Sequence, residues 1–147
     1  MRSVLIRLAN GDDGQKLWRL VEEYIEEEKL RGSPDQRKVI AMAIEYGVRR
    51  GEAVVVAEES DELVGFVVWV SLPNVAEGEV LGAGTYVAPQ FRRQLVSVQM
   101  REFAKDYCRA KGKKYVTGAV WGDNTAALKA AKRTGAKVKG YLVEWPL

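Results

Sequence analysis

The sequence predicts an α/β (α+β) domain in which a mixed, mostly antiparallel central sheet is flanked by helices. Three observations predict it. Valine-rich runs alternate with polar turns, two amphipathic stripes of helical period precede them, and a strand-helix-strand unit follows. At 147 residues, with 47% apolar and 29% charged side chains, the chain has the size and balance of one globular domain spanning residues 1–147.

The elements follow in chain order. Val4 to Leu8 is a short apolar run broken by Arg7, and the turn-rich Asn10-Gly11-Asp12-Asp13-Gly14 ends it, giving a first strand. From Gln15 to Leu30, Leu17, Leu20, Val21, Tyr24 and Ile25 recur at three- and four-residue steps and lay one stripe along a helix. A second helix starts after Ser33 with Pro34 in its first turn, carries Ile40, Ile44 and Val48, and ends at Gly51. Ala53 to Ala57 and Leu63 to Val70 are strands joined into a hairpin by Glu58 to Glu62. Val80 to Val87 is a further strand, and its interior Gly82-Ala83-Gly84 marks a bulge or a close backbone approach. A helix follows from Arg92 to Ala110, with Val96, Met100, Phe103, Ala104 and Tyr107 at helical spacing and Gly112 as its stop. Tyr115 to Val120 is the next strand, and Asp123-Asn124-Thr125 supplies N-cap chemistry for a helix over Ala126 to Thr134. Gly135 stops that helix, and Val138 to Trp145 reads as a last strand. The unit from Val80 to Val120 demands parallel strands while the hairpins demand antiparallel ones, so the sheet is mixed.

Composition excludes several chemistries. The chain has no histidine, which removes Ser-His and Cys-His nucleophile pairs and the commonest metal ligand; no metal is expected. Cys108 is the single cysteine, so no intramolecular disulfide forms and a reducing, cytoplasmic setting is expected. Without histidine to activate it, Cys108 reads as helix packing. No apolar stretch approaches the ~20 residues needed to cross a bilayer, so no membrane is expected as a partner. The net charge of +3 permits an anionic ligand but does not by itself indicate nucleic acid. Lys111, Lys113, Lys114, Lys129, Lys132, Arg133, Lys137 and Lys139 read first as a solvated basic surface. The other readings of these residues are contacts to a phosphate, to an acidic substrate or to nucleic acid, the last not expected. Trp69, Trp121 and Trp145 are assigned to the core or to a homodimer interface.

Three fragments, in order and at consistent spacing, carry a family resemblance. They are Tyr86-Val87-Ala88-Pro89-Gln90-Phe91-Arg92, Asn124-Thr125-Ala126-Ala127, and Gly135 eleven residues after Asn124. With the element order, they make the chain resemble the GNAT (Gcn5-related N-acetyltransferase) superfamily over essentially its whole length. The resemblance implies a GNAT acyl-CoA N-acyltransferase fold. It also implies transfer of an acetyl group from acetyl-CoA to a small-molecule or peptide amine by direct attack, through a tetrahedral intermediate. It places the coenzyme against Tyr86, Val87, Arg92, Arg93, Gln94, Leu95, Val96, Ser97 and Asn124. A splayed strand beside the bulge would offer backbone groups near Tyr86 and Val87 to the pantetheine amides, and the N–H near Val87 to the oxyanion.

The chain departs from that pattern in three places. The family's phosphate loop reads Arg or Gln, two variable residues, Gly, one variable residue, then Gly or Ala; here Leu95 and Ser97 stand at the two small positions, and no glycine occurs between Gly84 and Gly112. The tyrosine that many members place seven residues after the asparagine is Ala131, which leaves an unprotonated thiolate as the leaving group. The glutamate that several members use as a base is Leu81 here, so Glu79, two residues earlier on the same strand face, is the candidate base. An exposed strand-end carboxylate is the plainer reading of Glu79, and Tyr86 and Tyr141 are further candidates. Glu26-Glu27-Glu28 reads as a solvent-facing helix end or as a holder for a cationic amine. The alternative to an enzyme is a catalytically impaired GNAT-fold binding or regulatory module.

Overall fold

The computed structural model describes residues 3–28, 36–71, 78–120, 124–141, 143 and 145–147. Among the described residues, five strands form one sheet in the order β1-β2-β3-β4-β5: β1 (Leu5–Leu8), β2 (Ala53–Glu59), β3 (Glu62–Val70), β4 (Glu79–Val87) and β5 (Tyr115–Thr117). The first three pairings are antiparallel and β4 with β5 is parallel. Helices α1 (Gly14–Glu28) and α2 (Gln36–Arg50) lie between β1 and β2 in sequence, α3 (Val96–Ala110) between β4 and β5, and α4 (Thr125–Arg133) after β5. The predicted mixed, mostly antiparallel sheet flanked by helices is the architecture observed.

The sheet is covered on both faces, which is why β2 and β3 read as nearly unbroken valine runs rather than as alternating strands. Val55, Val67, Val80 and Val87 turn toward Val96, Met100, Ala104 and Cys108 of α3. Val54, Val56, Phe66, Val68 and Tyr86 turn toward Leu17, Leu20, Val21 and Ile40 of α1 and α2. Burial pushes the Cys108 thiol above its ordinary range, in keeping with a packing role. Gly65 has a packing cause: a Cβ there would stand 2.9 Å from the Tyr86 carbonyl oxygen and 2.9 Å from Met100 Cε. Only glycine lets α3 and β4 approach β3 this closely.

An ion-pair knot fixes β1 to the rest. Arg7 donates from Nη1 and Nη2 to the two oxygens of Asp13, each at 2.8 Å, and from Nε to Glu58 at 2.9 Å. Asp13 also accepts from the Asn10 backbone N–H at 2.8 Å, and Asn10 accepts in return, a capping box that starts the first helical turn. The Arg7 guanidinium holds the buried Asp13 carboxyl below the ordinary aspartate value.

Four sequence expectations need correction. The helix expected from Arg92 begins at Val96, because Arg93 (φ +62°) and Leu95 (φ +64°) take left-handed conformations that a helix cannot contain. The strand expected over Tyr115 to Val120 stops at Thr117, where β5 leaves β4. Among the described residues of Val138 to Trp145 there is no strand; Tyr141 and Trp145 are 89% and 76% exposed, and no neighbouring strand supplies hydrogen-bond partners. Trp145 therefore lies outside the core to which it was one candidate, whereas Trp69 is buried. Ser33, Pro34, Leu30, Trp121 and Asp123 lie outside the described residues.

Candidate active site

The site is built on the far half of β4. β4 pairs with β5 only over Glu79–Leu81 against Tyr115–Thr117, so the two strands fork beyond Leu81. The bulge lies at this point: Val68 pairs with Gly84 and Trp69 with Gly82, leaving Ala83 as the extra residue. Over residues 82–87, therefore, β4 is bonded to β3 on one side, and no described strand pairs with it on the other. Strand geometry then fixes which amides face the fork. The Ala88 N–H donates to Val64 O at 2.8 Å, toward β3. Since N–H directions alternate along an antiparallel strand, the Val87 and Thr85 N–H groups point the other way, into the fork. Thr85 was not singled out in the sequence, because the signal is a direction and not a residue type.

The fork opens toward the N-terminus of α3. The first-turn N–H groups of α3 have no acceptor within the helix, and Leu95, at the N-cap, carries no oxygen to cap them. An uncapped helix start with its positive dipole end is suited to an anion. Leu95 keeps a glycine-like backbone (φ +64°) while its side chain is 66% exposed. The loop thus preserves the path that glycine would permit, at a conformational cost. Leu95→Gly is expected to raise stability by about 0.5–1 kcal/mol, the left-handed penalty less the entropy of glycine. A shift in the urea midpoint at unchanged slope measures it.

Arg92 takes no position among these amides. Its Nε donates to Val87 O at 2.9 Å and its Nη2 to Glu27 of α1 at 2.7 Å, and the guanidinium stands 5.5 Å from the Tyr86 ring centre. Glu27 raises the Arg92 pKa further above its already high value, so the group is a fixed cation. Its role here is to tie the loop and the end of β4 to α1. Arg93 is exposed, Gln94 donates to the Gln90 carbonyl at 3.1 Å, the Val96 side chain is buried in the core, and Ser97 is half-buried in the first turn.

On the α1 side, Tyr86 packs against Tyr24 and Phe66, with ring centres 6.1 Å away in each case. Its hydroxyl donates to Glu23 Oε2 at 3.3 Å. Burial, reinforced by the Glu23 and Glu27 carboxylates, holds the Tyr86 phenol above its ordinary value, so it remains a donor at neutral pH. Glu23 is a second residue that the sequence did not reveal.

Glu79 and Val87 are not brought together. Eight residues of extended strand separate them, roughly 25 Å at ~3.3 Å per residue. Glu79 sits at the closed end of the fork, where it accepts a hydrogen bond from the Thr117 hydroxyl and has Lys139 Nζ at 4.0 Å. Asn124 caps α4, accepting from the Ala127 N–H at 3.1 Å. Tyr141 lies in the exposed segment after α4. A separate apolar cavity of about 360 Å³ lies between α1 and α2, lined by Leu17, Trp18, Val21, Ile44 and Val48 among others.

Residues 14–136 match the acetyltransferase (GNAT) family. No curated protein matches the chain in sequence. Among solved structures, the chain is similar to AAC(6')-Iy in complex with the bisubstrate analogue CoA-S-monomethyl-acetylneamine (TM-score 0.70, 18% identity, covering 99% of this chain and 98% of that one). It is similar to a predicted acetyltransferase with acetyl-CoA from Clostridium acetobutylicum (TM-score 0.72, 12% identity, 98% and 96% covered). It also resembles the PaiA N-acetyltransferase of Thermoplasma acidophilum in complex with coenzyme A (TM-score 0.69, 16% identity, 93% and 91% covered). At these identities the structures share the fold, and the family match spans most of the sequence: the chain belongs to the GNAT acetyltransferase family.

Proposed function

We propose that the protein is an N-acetyltransferase that moves an acetyl group from acetyl-CoA to a primary amine by direct attack. The observation that carries this reading is the fork itself, in which the Val87 N–H points away from β3 beside an uncapped helix N-terminus. The residues fit a ligand of CoA type. The open edge of β4 over residues 82–87 suits the amides of a pantetheine arm as an added strand would. The first-turn amides of α3 suit the diphosphate, and Arg93, exposed in the same loop, adds positive charge. Arg92 acts in this reading by fixing Val87 through its carbonyl.

In the reaction, the amine nitrogen bonds to the acetyl carbon and the carbonyl oxygen becomes an oxyanion held by the Val87 N–H. The carbon–sulfur bond then breaks, and CoA leaves as thiolate. With Ala131 where many members place a tyrosine, no phenol protonates it there; a thiol pKa of about 8.5 makes the thiolate a workable leaving group. Glu79, at ~25 Å along the strand, is too distant to share one acyl carbon with Val87.

Calorimetry with acetyl-CoA and with free CoA tests the reading. Saturable binding is expected, tighter in Leu95→Gly if the leucine side chain narrows the approach. Absence of heat at millimolar ligand overturns it. Binding without thiol release in the presence of amines favours the alternative of an impaired binding module, which the loss of both loop glycines motivates.

A further inference from the structure

Resting on that reading, we propose that Glu23 of α1 attracts the ammonium group of the acceptor and takes its proton through intervening water as the amine attacks. The geometry begins on β4. Val87, whose N–H faces the fork, is followed on the α3 face by its own buried side chain, while its neighbour Tyr86 projects to the α1 face. The Val87 N–H lies in the plane of the sheet, whereas the Tyr86 side chain stands on its α1 face and carries its hydroxyl to Glu23 at 3.3 Å, so the carboxylate stands about one tyrosine side chain above the fork and reaches the amine through water. Glu79 is separated from the same point by most of the strand.

The surroundings of Tyr86 make this contact well defined. The ring is held by Tyr24, Phe66 and the Arg92 guanidinium. Glu23 and Glu27 lie one helical turn apart on the same face of α1, yet Arg92 reaches Glu27 and not Glu23. The two carboxylates are thereby divided: Glu27 is neutralised by a fixed internal cation, while Glu23 is held by a neutral phenol and remains exposed to solvent, the direction from which an acceptor arrives. Tyr86 is a positioning residue, kept protonated by its burial and by the two carboxylates. A cationic primary amine is the acceptor class that this arrangement recognises.

The step balances. An alkylammonium, with an ordinary pKa near ~10, must lose a proton before its nitrogen can bond to the acetyl carbon. Glu23 accepts that proton and passes it to water. The oxyanion then collapses, the carbon–sulfur bond breaks, the second nitrogen proton leaves with the thiolate, and the products are the amide and CoA thiol.

The test measures thiol release from acetyl-CoA with three probes, an aminoglycoside, spermidine and a lysine-containing peptide. For whichever amine the wild type uses, Glu23→Gln is expected to lower kcat/KM at neutral pH by ~100-fold or more and to leave an activity that rises with pH toward the amine's own pKa near ~10, with Glu23→Asp restoring part of the neutral-pH activity. Glu102→Gln, on the exposed face of α3, is the control and should change neither kcat/KM nor its pH profile. An active Glu23→Gln enzyme with an unaltered pH profile overturns the assignment, as does a loss confined to Glu79→Gln. If the wild type binds acetyl-CoA but releases no thiol with any of the amines, the transferase reading falls and this assignment with it; the wild-type arm alone distinguishes that outcome.

Discussion

Asp13→Ala is expected to lose about 2–3 kcal/mol of stability, because it removes two charge-assisted hydrogen bonds from one side of a partly buried guanidinium that keeps Glu58 as its other partner. The same carboxylate closes the capping box on Asn10, so the start of the first helical turn loses an acceptor together with the ion pair. Glu58 remains bonded to Arg7 and limits the damage to the Asp13 side of the guanidinium. The sign of the pH dependence follows from the direction of the shift. The folded-state pKa of Asp13 is depressed below its unfolded value of about 3.8, so its contribution is complete well above that value and is lost as the pH falls through the folded pKa. Urea titrations of wild type and Asp13→Asn should therefore converge as the solution is acidified below pH 4 and differ most at neutrality. A constant difference across that range would show that the knot is held by packing and not by charge.

For the proposed acetyl transfer, Val87→Pro is expected to abolish most of the activity while leaving the sheet formed. Proline removes one N–H, and at position 87 that N–H points into the fork and not toward β3. The β3 ladder retains its bonds on either side, including the one from the Ala88 N–H to Val64. Tyr86, as the residue preceding proline, is already in the extended conformation that proline requires. Loss of a single oxyanion donor costs about 100- to 1000-fold in kcat, and the variant should show that loss with a wild-type far-UV spectrum and a cooperative melt. Full activity in a folded Val87→Pro protein would move the oxyanion contact elsewhere, with the Thr85 N–H as the next amide facing the same way.

The parts of this fold that were legible in the sequence are those decided by neighbours in the chain. Valine runs marked β2 and β3, the Gly82-Ala83-Gly84 interval marked the bulge, and Asn124 marked the start of α4, each through a local backbone preference. Val138 to Trp145 shows the limit of that reasoning. Its composition suits a strand, but a strand also needs a neighbour, and composition carries no information about whether an edge is available. Leu95 is the converse case: its left-handed backbone runs against the preference of its own side chain and is imposed by the turn from β4 into α3. The candidate site was legible in its scaffold and not in its wiring. Val87 and the loop were singled out through their order along the chain, whereas Glu23 meets Tyr86 across 63 residues and Glu27 meets Arg92 across 65. Contacts of that span are set by how α1 packs on the sheet, which no spacing rule encodes. Glu26-Glu27-Glu28, read as a solvent-facing run or an amine holder, includes one carboxylate that the fold commits to an internal arginine.

The sheet order has a consequence for how the chain is assembled. Because β2, β3 and β4 are neighbours in both sequence and space, most of the sheet closes through short connections, for which the loss of chain entropy is small. β5 returns through α3, and β1 has the longest closure: the chain passes through both α1 and α2 between it and β2, and it occupies the outer edge. The Arg7 knot lies at that join, binding the strand with the longest closure to its neighbour and to the helix that follows it. The fork stands at the opposite side of the sheet, so the edge where the chain closes its longest loop is separated by three strands from the edge that β4 and β5 leave unpaired.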